Sequence, residues 1–166
     1  QEGPPARLLL LAGQLVGAVL LLALLDLGCG HGVFLALAKL QRPDLELVGP
    51  ITRHGYSIVS GGAYGIDSAA HKGALIAEGT TIAITASGID CPYPAGNQKL
   101  FEEIVENGAI VTEYLPGSIA RPHRFLVRNR LIAALSKGTL VVEAAFRSGS
   151  LRTARDAAEL LRPVMA

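Results

Sequence analysis

The sequence is poor in aromatic residues and has few cysteines. Aromatic side chains make up 5% of the 166 residues, against nineteen glycines. This balance argues against an all-β sandwich and favours short strands joined to helices by glycine turns. The two cysteines, Cys29 and Cys91, show neither a Cys-x-x-Cys spacing nor clustered histidines, so we expect free thiols in a reducing cytoplasm and no structural metal site.

Residues 8–25 form a long apolar run that lacks the usual features of a membrane span. Lysine and arginine do not cluster at either end, there is no aromatic belt, and Gln14 lies inside the run. We therefore predict a buried helix leading into a buried strand, with a membrane segment as the alternative. The chain begins at Gln1 without methionine, which favours a piece excised from a longer protein.

Positive charge is concentrated in the last third of the chain. Residues 1–120 carry six lysines and arginines against eleven acidic residues, a balance of −5. Residues 121–166 carry nine against three, a balance of +6. The basic third is where a polyanion is expected to bind.

The segment Ser60–His71, with the sequence SGGAYGIDSAAH, predicts a strand end, a glycine loop and a helix N-terminus. Gly61, Gly62 and Gly65 allow close backbone approach, and the free N–H groups of a helix start favour an anion such as phosphate. The alternative is a glycine loop that only shapes a turn between strand and helix.

Residues 24–50 predict a strand–helix–strand unit with its own glycine loop. Leu24–Leu27 is the first predicted strand, Val33–Leu40 the helix and Leu45–Val48 the second strand. The loop glycines Gly28, Gly30 and Gly32 locally resemble motif I of S-adenosylmethionine-dependent methyltransferases, which implies a cofactor loop. That family expects an acidic residue after the second strand, and this chain has Gly49-Pro50 there.

The remaining segments alternate between strands and helices. Strands are predicted at 56–59, 80–84, 109–112 and 139–143, and helices at 66–72, 97–107, 127–135 and 149–161. We predict a single α/β domain, Rossmann-like and doubly wound, with a mainly parallel sheet covered by helices on both faces.

Two further segments suit a nucleic acid. The segment RPHRFLVRNR, residues 121–130, places arginine forks around Phe125, and an aromatic face can stack on an unpaired base. The alternative is a solvated basic loop with Phe125 in the core. The segment RSGSLRTA sets Ser148, Gly149 and Ser150 at a helix N-terminus that includes Thr153, which predicts a second anion site or a simple N-cap.

Several ordered fragments resemble the DNA-processing protein A family (DprA, also called Smf). They are SIVSGGAYGID, GIDCPYPAGN, TEYLPG, RPHRFLVRNRLIAALS and VVEAAFRSGSLRTA, spread over residues 51–166. The resemblance implies a cytoplasmic, dimeric protein of natural transformation that binds and protects single-stranded DNA and loads a RecA-type recombinase. This family usually begins with a strand ending in Gly-Ser/Thr-Arg, absent here, so residues 1–50 look chimeric or engineered.

Catalysis is the less favoured interpretation. Ser60, His71 and Asp67 or Asp90 suggest a hydrolase triad, but the serine lacks a Gly-x-Ser-x-Gly elbow. A phosphoribohydrolase-like enzyme would carry a Pro-Gly-Gly-x-Gly-Thr segment, which this sequence lacks. We therefore predict a DNA-binding protein without catalysis or cofactor, and these nucleic-acid-binding residues: Ser60, Gly61, Gly62, Gly65, Asp67, Arg121, His123, Arg124, Phe125, Arg128, Asn129, Arg130, Ser148, Gly149, Ser150 and Thr153.

Overall fold

A parallel sheet forms the centre of the computed structural model, which describes residues 9–10, 33–37, 47–141, 144 and 148–166. Seven strands lie in the order β1-β5-β4-β3-β2-β6-β7, and every neighbouring pair is parallel. Their bounds are β1 Leu9–Leu10, β2 Val33–Leu37, β3 Ser57–Ser60, β4 Thr81–Ile84, β5 Gly108–Thr112, β6 Gly138–Val141 and β7 Val164–Met165. The predicted parallel α/β sheet is confirmed.

Five α-helices are described. They are α1 Gly49–Arg53, α2 Ile66–Ile76, α3 Gln98–Asn107, α4 Pro122–Leu135 and α5 Gly149–Glu159, with a short 3-10 turn at Ala95–Asn97 before α3. Because strand order reverses between β5 and β6, α4 and α5 lie on the opposite face from α1, α2 and α3.

Alternating side chains of the central strands fill hydrophobic clusters on both faces of the sheet. In β3, Val59 packs with Leu131 and Ile132 of α4, whereas its neighbour Ile58 packs with α2. The same alternation continues in β4 and β5, where Ala83 and Ile110 face α3. Successive strand residues point to opposite faces, so strands buried on both sides read as continuous apolar runs.

The predicted strand–helix–strand unit of residues 24–50 is wrong where the structure describes it. Val33–Leu37, predicted as helix, is strand β2, and it pairs with β3 and β6. Residues 47–48, predicted as the end of a strand, are helical and lead into α1. Gly49 and Pro50 therefore begin a helix, where proline fits because its missing N–H has no helical partner. The predicted strand 24–27 and Gly28, Gly30 and Gly32 lie outside the described residues.

Helix α4 begins five residues earlier than predicted. The sequence indicated an irregular segment up to Pro122 and a helix from Val127, but the helix runs from Pro122. Arg121 has an extended backbone at the N-cap position, and Pro122 occupies the first turn. Residues 122–130 are thus a helical surface, not a basic loop.

The helix predicted at the start of the apolar run 8–25 is wrong at residues 9–10, which form strand β1 and pair with β5. The rest of the run lies outside the described residues. Within the described ranges, no helix combines the length and the apolar character needed to cross a membrane.

Candidate functional site

An open groove of about 300 Å³ lies at the carboxyl ends of the strands, where α/β sheets commonly hold ligands. It joins parts of the three segments that the sequence singled out: the glycine loop, the basic segment and the serine-rich helix start. The lining residues are Ala63, Tyr64, Ile66, Asp67, Phe125, Leu126, Arg128, Asn129, Ile132, Gly149, Ser150 and Thr153.

The glycine loop between β3 and α2 is held by hydrogen bonds to Asp67 of α2 and Asn97 of the 3-10 turn. The Ser60 hydroxyl donates to Asp67 Oδ1 at 2.8 Å, and the Ala63 N–H donates to Asp67 Oδ2 at 3.1 Å. Asn97 Nδ2 donates to the Gly62 carbonyl at 2.9 Å and to Ser68 Oγ at 2.8 Å. The Asp67 carboxylate is thus the anion to which the Ala63 N–H and the Ser60 hydroxyl donate.

Arg128 connects the loop to the sheet from the opposite face. Its side chain is buried, and Nη1 donates to the carbonyls of Gly61, at 2.9 Å, and of Ile84. Burial lowers the pKa of the Arg128 guanidinium, and the nearby Asp67 carboxylate counteracts part of this shift. A single α4 side chain therefore fixes the carboxyl ends of β3 and β4.

Two loop glycines are required by their surroundings. A Cβ at Gly61 would overlap the Arg128 guanidinium, so only glycine lets the arginine approach the loop. Gly62 has φ of +73°, and a Cβ there would overlap the ring of Phe101.

Asn129 joins α4 to the start of α5. Its Nδ2 donates to the Gly149 carbonyl at 3.2 Å, and its Oδ1 accepts from Arg128 Nε at 3.1 Å. The Asn129 amide thus holds the backbone at the start of α5. Ser148 Oγ accepts from the Leu151 N–H at 3.4 Å and caps α5, while Thr153 donates back to Gly149.

His71 is fully buried in α2 and is held neutral. Thr81 Oγ1 donates to the Ile58 carbonyl at 3.0 Å, so it must accept from His71 Nδ1 at 2.7 Å. Burial lowers the pKa of His71 to about 4, against an opposing effect of Asp67. Since Ser60 bonds to Asp67 and His71 to Thr81, these side chains do not form a serine–histidine–aspartate relay. Asp90, the other candidate acid for such a triad, accepts from the Gly117 N–H.

The first turns of α4 present most of the predicted basic residues at the surface. Arg121 and His123 are exposed, and Arg124 lies over the Tyr114 ring at 4.2 Å and donates to the Ile119 carbonyl. Spacings of three and four residues place Arg121, Arg124 and Arg128 on one side of the helix. Arg130 lies off this row and forms an ion pair with Glu113.

Aromatic rings gather at the same end of the sheet. Phe125 is half-buried, with its ring centroid 5.7 Å from that of Tyr93 and the Arg128 guanidinium 5.8 Å from its own centre. Tyr64, which the sequence analysis did not select, lines the groove and is 66% exposed. The only feature of the sequence that could have indicated Tyr64 is its position inside a glycine loop.

Comparison with known proteins extends these observations. Residues 41–166 match the profile of the DNA recombination-mediator protein A family, which begins ten residues before the resemblance predicted from residue 51. Over 135 residues, the chain is 49% identical to the putative DNA processing protein DprA of Mycobacterium tuberculosis. That match covers 81% of this chain and 35% of the relative, so the chain spans about a third of the relative's length.

Two solved structures are similar to this fold. DNA processing protein A of Streptococcus pneumoniae matches with a TM-score of 0.70 and 36% identity, over 80% of this chain and 49% of that one. The Helicobacter pylori protein, studied for its single-stranded DNA binding mode, matches with a TM-score of 0.71 and 34% identity. That match covers 80% of this chain and 64% of the other.

Proposed function

Because the chain belongs to the DNA recombination-mediator protein A family, we propose that it binds single-stranded DNA in the groove between α2, α4 and α5. One observation carries the proposal. The groove combines a half-buried aromatic ring, Phe125, with Arg128 of α4 and the N-terminus of α5. Stacking platforms beside positive charge suit unpaired bases and their phosphates, largely regardless of sequence.

We propose that the DNA phosphates contact the start of α4 and the start of α5 in preference to the glycine loop. The Ala63 N–H and the Ser60 hydroxyl already bond to Asp67, whose charge repels a phosphate. Arg121 and His123 are exposed, and Gly149 and Ser150 bring helix N–H groups to the groove. Gly61, Gly62 and Gly65 then act by giving the groove its shape, and Arg130 is neutralised by Glu113.

The family and the single-stranded DNA binding of the Helicobacter pylori relative support a wider role. We propose a cytoplasmic DNA-processing protein without catalytic activity, acting in natural transformation as a homodimer that passes DNA to a RecA-type recombinase. We further propose that the chain folds as one Rossmann-like domain, in which β1 and β2 complete the sheet of residues 51–166.

A salt titration with labelled oligo-dT tests the binding proposal. Neutralising phosphates releases counterions, so log Kd should rise with log salt at about 0.7 per contact, or about 2 for three contacts. A duplex of equal length is the control and should bind more weakly, because its bases are already stacked. Binding that ignores salt, or that prefers the duplex, would contradict the proposal.

The methyltransferase-like loop gives an alternative that calorimetry can separate. A chimeric N-terminal segment with a working Gly28–Gly32 loop would bind S-adenosylmethionine. We expect weak binding or none, because Gly49 and Pro50 begin α1 and offer no carboxylate to a ribose. Low-micromolar binding that Gly30→Ala abolishes would support the alternative.

A further inference from the structure

We infer that Tyr64 is a second base-stacking residue of the groove and that Tyr93 extends the aromatic surface it shares with Phe125. The inference rests on the proposed function, since it names a contact within the proposed single-strand site. Tyr64 lies between the loop glycines Gly62 and Gly65 and is not among the residues that the sequence predicted for the site.

Three aromatic rings lie in or beside the groove, although the whole chain has only four tyrosines and four phenylalanines. Tyr64 and Phe125 both line the groove, and the Tyr93 ring packs against Phe125. The Tyr64 hydroxyl lies directly over Gly96, three residues after Tyr93, where a Cβ would overlap it. Residues 93–96 therefore contact both groove-lining rings.

The Tyr64 ring can stack on a ligand because it is exposed and because hydrogen bonds fix the backbone next to it. Its side chain is 66% exposed and that of Tyr93 is 53% exposed. The backbone beside Tyr64 is fixed, because the Ala63 N–H bonds to Asp67 and the Ala63 carbonyl accepts from Ser68. A ring held in place before binding loses little conformational freedom when a ligand stacks on it.

The chemistry points to an unpaired nucleobase. A flat apolar ligand with a π-face gains from stacking on tyrosine without needing particular hydrogen bonds. The groove volume of about 300 Å³ is at the lower end of the range for small-molecule sites, so the groove suits one nucleotide rather than a duplex.

The test measures oligo-dT affinity for Tyr64→Ala, Tyr64→Leu and Tyr64→Phe. Loss of one stacking partner should weaken binding by about 5- to 100-fold in the alanine and leucine variants. Tyr64→Phe keeps the ring and should bind within about twofold of the parent. Ile76→Ala is the matched truncation, since Ile76 is 60% exposed at the far end of α2 and should change nothing.

An abasic oligonucleotide of the same length identifies the contact as a base. On this strand Tyr64→Ala should bind as well as the parent protein, and the salt slope should be unchanged on both strands. Tyr64→Ala binding oligo-dT normally, or losing equal affinity on the abasic strand, would overturn the inference while leaving the proposed function intact. A parent protein that binds no oligo-dT would overturn both, and the leucine variant guards against effects of a lost side chain on folding.

Discussion

The glycine loop and the first turns of α4 border the same groove, yet their polar groups are used differently. In the loop, Ser60, Ala63 and Gly62 bond to Asp67 and Asn97, and these partners are buried. At the start of α4, Arg121 and His123 face solvent. The loop is therefore built to keep its shape, whereas α4 offers charge to a ligand. Changes in the loop network should alter stability, and changes at the α4 surface should alter affinity.

Arg128→Ala should have the largest effect on stability. Arg128 is part of helix α4, but its hydrogen bonds hold the glycine loop and the end of β4. The change leaves the carbonyls of Gly61 and Ile84 without their donor and Asp67 without its nearby cation. We expect a loss of about 3–5 kcal/mol in the free energy of unfolding, measured by urea denaturation. Arg121→Ala serves as control and should stay within about 0.5 kcal/mol. Equal stability of the two variants would contradict this difference between the loop network and the α4 surface.

Acid should weaken the fold through His71. Its pKa is lowered from 6.5 to about 4 in the folded protein, so between these values the unfolded chain takes up a proton that the folded chain does not. Stability is then fully present above pH 6.5 and falls as the pH drops towards 4, by a few kcal/mol. His71→Asn, which can still donate to Thr81, should show a flatter stability profile between pH 6.5 and 4. Parallel profiles for the two proteins would show that His71 is not the cause.

Phe125→Ala should weaken oligo-dT binding by about 1–3 kcal/mol and leave the salt slope nearly unchanged. The ring is half-buried between Tyr93 and Arg128, so thermal unfolding must be followed in parallel. A variant that melts much earlier but still binds DNA normally when folded would assign Phe125 to the core instead.

Arg121→Ala should have the smallest effect. An exposed arginine that meets a phosphate adds less than about one unit to the salt slope, so we expect slightly weaker binding to all single strands alike and unchanged stability. Lys137→Ala is the matched control, because Lys137 is also exposed but lies just after α4, at the amino end of β6. Identical salt slopes for the two variants would remove Arg121 from the interface.

The sequence predicted the regular part of the fold well because strand and helix patterns are local. The strands that became β3 to β6 were predicted within a few residues, and their alternation with helices implied the parallel sheet. The segment Val33–Leu37 was misassigned because a short apolar run of five residues fits a buried helix as well as a buried strand. Its partners β3 and β6 decide the outcome, and they lie far away in sequence.

The predicted site was harder to refine because contacts between distant residues decide it. Within the segment RPHRFLVRNR, Arg128 suggests a phosphate contact. Only the fold shows that Arg128 donates to the Gly61 carbonyl, 67 residues earlier in the chain. The start of α4 was missed because Pro122 follows an irregular segment, although proline is common in a first helical turn. The Tyr64 hydroxyl lies against Gly96, a contact between distant residues that no local pattern reveals.

Because Arg128 bonds to carbonyls at the ends of both β3 and β4, the groove cannot open one element at a time. The amides of Ala63 and Ser68, which close the glycine loop, should exchange with solvent deuterium at rates set by the same opening that frees α4 from the sheet. A DNA strand bound in the groove would then slow exchange of the Ser68 amide, although Ser68 is buried and does not line the groove.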